Sequence, residues 1–401
     1  MITELYLENW KSFAKATLYI DPLTFLIGTN ASGKSNVLDA FMFLQRLASG
    51  ISTQTAINGD MSISPLRGGV EWLIRDGENH CVLRIKVQSV TYSYIYELEF
   101  LKAESDIVIT SERLLLDDAS LSESRVLFYT GMADERVSDV SVYICASEDS
   151  EPVKFDFVKS HIVLWQVDKS GVNKEVKEGA AAVIKALQDI FILDPIPNHM
   201  RGYSKLSDKL LPDASNIAGV LAALEDEKRL AIEEKLTKYL RPLPEKDIDQ
   251  VFVERVGRHG TDAMLYCKEE WVKGKTIEVD AREMSDGTLR FLAIITAILL
   301  GKKSSLLIVE EIDNGLHPSR AVVLARMLEE LSAEKEIDIL CTTHNPELIN
   351  ALGNKMIPFI SSVKRNDEDG SSEIALIEDL ENLPRLVASY PIGDLMTKNK
   401  L

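Results

Sequence analysis

Residues 28–36 read GTNASGKSN, and they are the most informative segment of the sequence. It fits the pattern Gly-x-x-x-x-Gly-Lys-Ser, with the apolar run LTFLI before it and apolar residues at helical spacing after it. In a strand, glycine-rich loop and helix arranged in this order, backbone N–H groups and the helix N-terminus can face a phosphate group. We therefore predict a phosphate-binding P-loop in which Lys34 adds a positive charge and Ser35 ligates Mg²⁺.

Two acidic residues follow a second apolar strand in LLIVEEIDNGLHP, residues 306–318. A carboxylate at the end of such a strand can hold the water shell of Mg²⁺, and its neighbour can polarise an attacking water molecule. The sequence thus predicts that Glu310 tethers the metal and Glu311 acts as a general base.

Two further stretches have the chemistry to contact a phosphate. EMSDGTLRF, residues 283–291, places a Ser-Asp-Gly turn before an apolar helix, and CTTHNPE places His344 after another apolar strand. A P-loop satisfies the phosphates from one side only, so Ser285 and the N–H groups around Gly287 can serve the open side. We expect a second monomer to supply them.

Composition excludes several classes of protein. The 401 residues are 45% hydrophobic, which suffices for two or three subdomains. A net charge of −18 argues against a uniformly cationic nucleic-acid surface. The four cysteines lack metal-ligand spacing, which fits a reducing, cytoplasmic location. The longest apolar run, residues 291–300, has about half the ~20 residues that span a bilayer, so we predict a buried helix and no membrane association.

The chain reads as β-rich, then helical, then alternating α/β. Strands are predicted at residues 2–7 and 16–20, and HIVLWQV at 161–167 is β-like. The alternation of Tyr92, Tyr94, Tyr96, Leu98 and Phe100 indicates sheet core rather than a base-stacking surface.

Helical spacing begins at residue 179 and continues to residue 240. We expect Ser215 to be an N-cap within this stretch, and a further helix over 318–333.

In their order along the chain, GTNASGKSN, MSDGTLRF, LLIVEEIDNGLHP and CTTHNPE resemble the ABC-type ATPase heads of the SMC/RecF/OLD group. Within it the chain is most similar to compact bacterial AAA-family ATPases that lack long coiled coils, and NWKSF and DASNIAGVLAAL extend the resemblance over essentially the whole sequence. The resemblance implies an α/β P-loop NTPase head with a β-rich lobe and a helical lobe. We divide it into a P-loop part at 1–60, a β-rich lobe at 61–178, a helical lobe at 179–245 and the rest of the ATPase core at 246–401.

The resemblance also implies a head-to-tail homodimer that binds two ATP molecules with Mg²⁺. It does not decide between this dimer and a higher oligomer. Glu310 is then the Walker B acid, Glu311 the catalytic base, His344 the switch histidine and residues 314–317 the D-loop, while residues 11–13 lie near the nucleotide base. The implied nucleotide-binding residues are Gly28, Asn30, Gly33, Lys34, Ser35 and Asn36 of one subunit and Ser285 and Gly287 of the other.

The sequence departs from the family pattern in two respects. Glu310 stands where many relatives have Asp, which adds a methylene between the backbone and the metal. The Q-loop glutamine has two candidates, Gln54 and Gln166. About 55 residues follow His344, too few for an attached nuclease domain. The acidic stretch NDEDGSSE, residues 366–373, is better interpreted as a hairpin turn than as a metal site.

Three functions compete on these grounds. The first is an ATP-gated dimer that controls a separate effector, such as a nuclease, in OLD-like antiviral defence. The second is a RecF-like DNA-repair ATPase that binds DNA directly. The third is an AAA+ ring ATPase or a nucleotide sensor. The ring ATPase is disfavoured because MSDGT offers a signature turn in place of an arginine finger.

Overall fold

The structure is a computed structural model that describes residues 1–103, 106–117, 124–131, 139–145, 151–167, 172–243, 247–272, 274–314, 320–381 and 383–397. The strands in these residues are β1 (Ile2–Trp10), β2 (Phe13–Tyr19), β3 (Leu23–Ile27), β4 (His80–Gln88), β5 (Ser93–Ala103), β6 (Asp106–Asp117), β7 (Arg125–Thr130), β8 (Asp139–Ile144), β9 (Val153–Val158), β10 (Ile190–Leu193), β11 (Ser204–Lys205), β12 (Asp247–Val256), β13 (Asp262–Val272), β14 (Lys275–Asp280), β15 (Leu306–Val309), β16 (Asp338–Thr343), β17 (Ile360–Arg365) and β18 (Ser372–Leu376). The helices are α1 (Lys34–Ala48), α2 (Thr53–Asn58), α3 (Val163–Val167), α4 (Lys174–Gln188), α5 (Pro197–Met200), α6 (Ile217–Ala223), α7 (Asp226–Leu240), α8 (Asp286–Leu300), α9 (Ala321–Lys335), α10 (Pro346–Leu352), α11 (Leu383–Ser389) and α12 (Ile392–Thr397).

One long mixed sheet organises the molecule, with strand order β10-β15-β16-β3-β17-β18-β2-β1-β4-β5-β6-β7-β8-β9. The strands from β10 to β17 in this order run parallel, and those from β2 to β9 form an antiparallel meander. Ser372 and Phe13 pair where β18 meets β2. A smaller sheet contains β11, β13, β12 and β14. The fold is therefore the predicted mixed α/β architecture.

The parallel strands are apolar throughout because both faces of the sheet are covered. In β15, Leu307 and Val309 join a core shared with α8 and α9, while Leu306 and Ile308 join a core shared with α1 and α4. Residues 306–309 are all buried. The strand thus ends between two packed layers, and Glu310 and Glu311 follow directly at its carboxyl end.

The β-rich lobe and the buried helix of the sequence analysis are confirmed. Tyr94, Tyr96, Leu98 and Phe100 are buried along β5, whereas Tyr92 precedes the strand and is exposed. Residues 291–300 lie within α8, whose side chains are mostly buried. In the described residues, no helix has the length and apolar character to cross a bilayer. The acidic stretch at 366–373 forms the predicted turn between β17 and β18.

The β-like interpretation of HIVLWQV is wrong, because residues 163–167 form α3. The carboxylate of Glu112 on β6 accepts the backbone N–H groups of Val163 (2.7 Å) and Leu164 (2.5 Å) at the start of this helix. Tyr96 donates its hydroxyl to the same carboxylate at 2.9 Å. A buried side chain that lies about 50 positions earlier in the chain therefore caps the N-terminus of this helix.

Other boundaries also differ from the prediction. The N-cap of α6 is Asn216, not Ser215, whose backbone N–H instead donates to Asp213. Strand β10 lies inside the stretch expected to be helical and pairs with β15. The helix predicted at 318–333 is α9, which starts at Ala321; residues 318 and 319 lie outside the described residues.

Candidate functional site

The P-loop connects β3 to α1, as predicted. Gly33 is the N-cap of α1, with a φ of 118° that favours glycine. A Cβ at Gly33 would lie 2.5 Å from the Ser372 hydroxyl, and a Cβ at Gly28 would lie 2.4 Å from the Val363 carbonyl oxygen. Both glycines are therefore required by close approach to the β17–β18 hairpin.

Lys34 points its ammonium group back into the loop. Its Nζ atom donates to the carbonyl oxygens of Gly28 (2.7 Å) and Thr29 (2.8 Å). Burial lowers the pKa of this ammonium, and the charges of Glu311 and Glu310 oppose that effect. The cation is thus held inside the loop, where a bound phosphate would contact it. Asn30 is exposed at the tip of the same loop.

Ser35 and Glu310 lie in direct contact, although 275 positions separate them in the sequence. The Ser35 hydroxyl donates to Glu310 Oε1 at 2.5 Å. A hydroxyl and a carboxylate are the oxygen ligands that Mg²⁺ takes, usually together with phosphate oxygens and water. The donor set therefore fits the predicted metal, and the extra methylene of Glu310 does not prevent it from reaching Ser35.

Glu311 and His344 also come together. Glu311 Oε1 lies 4.0 Å from His344 Nδ1, and both side chains are partly exposed. The Glu311 backbone has a φ of 46°, and its N–H donates to the Thr342 hydroxyl at 2.8 Å. Asn314, the described residue of the expected D-loop, donates to Glu311 Oε2 at 3.2 Å; residues 315–317 lie outside the described residues. A left-handed backbone at a non-glycine residue is typical of functional sites.

Sequence reasoning missed Arg67, which links Glu310 to residues of α1. Its guanidinium donates to Glu310 Oε1 (3.1 Å), to the Ser35 carbonyl (3.1 Å) and to Asp39 Oδ1 (2.9 Å). The buried Asp39 carboxylate also accepts from Lys11 Nζ at 2.6 Å. No local sequence signal distinguishes this arginine, since its partners lie in other segments.

Asp194 is a third acid at this edge of the sheet. It follows β10 directly, and the carbonyl of the preceding Leu193 accepts the N–H of Glu310 at 3.4 Å. Burial raises the pKa of Asp194, and the Glu310 charge adds to that effect. An acid after the short apolar stretch IFIL is the same signal that identified Glu310, so Asp194 was recognisable in the sequence.

Within the described residues, neither candidate for the Q-loop glutamine hydrogen-bonds to these groups. Gln166 uses its side chain locally, with hydrogen bonds to Val158 and His161, and Gln54 is exposed on α2. Of residues 11–13, Phe13 is fully buried and cannot stack on a base, whereas the Ser12 hydroxyl accepts from Asn36 Nδ2 at 2.7 Å.

The predicted signature turn begins α8. Ser285 is the N-cap, and its hydroxyl accepts the N–H of Thr288 at 3.1 Å. Ser285 is exposed, and Gly287 is buried in the first turn. Among the described residues, no hydrogen bond joins Ser285 to the P-loop of its own chain.

Comparison with known proteins defines the class. A family model described as "AAA domain, putative AbiEii toxin, Type IV TA system" matches residues 150–350, about half of the chain. A second, described as "AAA ATPase domain", matches residues 1–159. The chain belongs to this AAA-domain ATPase family, and its fold is that of an ABC-type ATPase head.

Solved SMC heads are similar to this chain at low sequence identity. An SMC head bound to the C-winged helix domain of ScpA is 14% identical to this chain, with a TM-score of 0.52 over 96% of this chain and 99% of that chain. The SMC head domain from Thermotoga maritima is 13% identical, with a TM-score of 0.40 over 94% and 98% of the two chains. An SMC head from Pyrococcus furiosus, bound to the C-terminal domain of ScpA, is 13% identical with a TM-score of 0.47 over 96% and 99%. No curated protein matches the sequence.

Proposed function

We propose that this chain binds and hydrolyses ATP, dimerises head to tail around it, and gates a separate effector protein. The exposure of Ser285 at the start of α8 carries this proposal, because an N-cap hydroxyl and free helix N–H groups suit a phosphate. In the part of the chain that the structure describes, Ser285 has no hydrogen bond to the P-loop, so the phosphate it contacts would be one bound by a second subunit. Each composite site then combines Lys34 and Ser35 of one subunit with Ser285 of the other.

Within a composite site, the residues have separate tasks. Lys34 neutralises the β- and γ-phosphates, and Ser35 and Glu310 hold Mg²⁺, which when bound withdraws charge from the phosphate oxygens. Glu311 accepts the proton of the attacking water. His344, which lies 4.0 Å from Glu311, donates to the γ-phosphate once the site is closed.

The effector proposal draws on two descriptions. The description of the matched family contains the words toxin and Type IV TA system. The structure of a protein of the same fold was solved with a bound partner domain. These descriptions favour an ATPase that acts through another protein in a defence or toxin system, and we propose a nuclease as that protein. Direct DNA binding of the RecF type is less compatible with a net charge of −18.

Co-purification tests the proposal. The tagged chain is expressed with its native gene neighbours and purified with and without ATP and Mg²⁺, and the co-eluting proteins are identified by mass spectrometry. We expect one stoichiometric partner whose binding or activity changes with ATP, and the same partner to lose this dependence in Lys34→Ala. ATP-dependent binding to duplex DNA without a protein partner would instead support the RecF-like function.

A further inference from the structure

Strand β9 forms one end of the long sheet, far from the P-loop. In the described part of the chain it pairs with β8 and with no other strand. It lies ten positions away from β3, the strand that leads into the P-loop, in the order of the sheet. The outer edge of an end strand presents backbone N–H and C=O groups that can pair with another chain. This edge is therefore an interaction surface remote from the nucleotide site.

The register between strands shows which backbone groups of β9 point outward. The Ser141 carbonyl of β8 accepts the N–H of Gly131 at 2.7 Å, on the side of β7. Because the backbone groups of successive residues alternate between the two sides of a strand, Val142 bonds on the side of β9, where it pairs with Phe155. The odd-numbered residues of β9 therefore bond to β8, and the even-numbered residues present their N–H and C=O groups outward.

The side chain of Gln166 agrees with this assignment and shortens the open edge. Its amide oxygen accepts the N–H of Val158 at 3.1 Å, and its amide nitrogen donates to the Val158 carbonyl at 2.8 Å. Among the described residues, the outward backbone groups of Lys154 and Asp156 have no such partner. Pro152, just before the strand, has no N–H to offer. The open edge is thus confined to Lys154 and Asp156.

We propose that this edge pairs antiparallel with the same edge of a second copy of the chain, with a two-fold axis at Phe155. Lys154 of one copy then lies opposite Asp156 of the other. Both residues face outward, so they exchange backbone hydrogen bonds and bring opposite charges together. A shift of the register by two residues would place Lys154 opposite Lys154, or Asp156 opposite Asp156. Charge therefore selects one register, in which the edge is self-complementary.

The side chains on both faces of β9 suit this register. Lys154 and Asp156 share one face and are more than half exposed, with their Nζ and Oδ1 atoms 3.6 Å apart within one copy. Phe155 and Phe157 pack partly on the core from the other face, where Val153 is 52% exposed. In the proposed register, Val153 of one copy lies opposite Phe157 of the other, and the two Phe155 side chains are neighbours. An edge lysine normally discourages pairing, but here the aspartate of the second copy neutralises it.

This interface goes beyond the proposed function, because it requires no nucleotide. The residues that would form it lie at the end of the sheet and outside the composite ATP site. A chain with both interfaces can join one ATP-bound dimer to the next. The edge of β9 would thus build assemblies larger than the head-to-tail dimer.

Sedimentation velocity of the nucleotide-free protein over a wide range of concentration tests the inference. The wild type should self-associate reversibly. Lys154→Asp and Asp156→Lys should each weaken the association about 10-fold or more, because each places like charges opposite one another twice in the interface. The double variant Lys154→Asp/Asp156→Lys should restore it. The two single variants should also form a heterodimer when mixed, since one copy then carries two acids at these positions and the other carries two lysines.

Lys174→Asp is the matched control, because it makes the same change of charge at an exposed lysine of α4 that pairs with Glu178. It should associate like the wild type. A wild type that stays monomeric at every concentration would overturn the inference and favour a strand of another protein as the occupant. Single variants that associate like the wild type would also overturn it, as would a double variant and a mixture that both fail to recover. Lys34→Ala should still self-associate, which separates this interface from the ATP function.

Discussion

Arg201 and Asp286 form an ion pair of 2.5 Å at the start of α8. The same guanidinium donates to the carbonyl oxygens of Ala281 (3.2 Å), Arg282 (2.9 Å) and Met284 (2.7 Å). One side chain from the loop after α5 therefore holds the backbone on both sides of the turn that leads to Ser285. Ala281 and Met284 in this segment are buried, whereas Ser285 and Asp286 are exposed.

Replacing this arginine should disable the signature turn without disturbing the P-loop. Arg201→Ala removes the ion pair with Asp286 and the guanidinium contacts to three backbone carbonyls, which loosens the loop at 281–286. We expect ATP binding to the monomer to be retained and ATPase activity to fall about 10-fold or more because dimer closure is weakened. Steady-state ATPase assays and nucleotide titration measure the two effects.

Arg282→Ala is the matched control, because this exposed arginine of the same loop pairs with Asp280. It should retain most of the activity. Equal losses in both variants would show that the carbonyl contacts of Arg201 are unimportant.

Mixing two inactive subunits tests whether Ser285 acts in trans. Ser285→Arg should fold and bind ATP but block closure, since a long cation replaces a small donor. Lys34→Ala should lose tight ATP binding because the ammonium inside the loop is removed. A heterodimer of the two variants has one intact composite site, so part of the wild-type ATPase activity should return on mixing. Heterodimers that form and stay inactive would argue for a site built within one chain.

The two adjacent glutamates should give different phenotypes. Glu311→Gln keeps the shape of the side chain but cannot accept a proton, so hydrolysis should slow by ~10²–10⁴-fold while ATP remains bound. The variant should accumulate as a dimer in ATP and Mg²⁺, visible by size exclusion with light scattering. Glu310→Gln should instead lose Mg²⁺-dependent affinity, because Glu310 is the partner of Ser35. If Glu310→Gln is the variant that retains ATP, the two roles are reversed.

Glu112 should make stability depend on pH. Burial raises its pKa to about 7, against the opposing hydrogen bonds from Leu164, Val163 and Tyr96. A carboxyl group with a raised folded-state pKa stabilises the fold fully below its unfolded pKa, and this contribution is lost as the pH rises through about 7. From about pH 6 to about pH 8 the loss from this group should be about 1 kcal/mol.

Urea unfolding of the wild type and of Glu112→Gln across this range provides the measurement. Gln keeps one carbonyl oxygen, which can accept one of the two α3 N–H groups, and it does not titrate. The wild type should therefore lose more stability with rising pH than the variant does. Burial also raises the pKa of Asp338 to about 6, and this residue titrates in both proteins. Its contribution to the pH dependence of stability therefore cancels in the comparison. Parallel pH profiles would show that Glu112 is not the group responsible.

Most of the candidate site could be predicted from local sequence patterns. The P-loop, the acids after β15 and the N-cap Ser285 each depend on neighbours within a few residues, so periodicity and turn chemistry were sufficient. Arg67 could not be found in this way, because its contacts to Asp39 and Glu310 span 28 and 243 positions. The same reason explains α3, whose first turn depends on Glu112 from another strand.

The fold was predictable in class but not in strand order. Alternation and apolar runs indicate strands, yet they do not state which strand lies beside which. Nothing in the sequence places β3 between β16 and β17, or joins the meander to the parallel strands through Ser372 and Phe13.

The contacts of Gly28 and Gly33 with the β17–β18 hairpin set an order of events during protein synthesis. Ser372 donates to the Ser32 carbonyl across 340 positions, and both neighbours of β3 in the sheet come from residues 338–365. As the chain leaves the ribosome, the GKS motif is among the first segments to appear. The P-loop cannot complete its packing until the β17–β18 hairpin has been translated. A shortened product that stops before β17 would carry the motif without a formed nucleotide site, so incomplete chains should neither retain ATP nor compete with finished subunits for a partner.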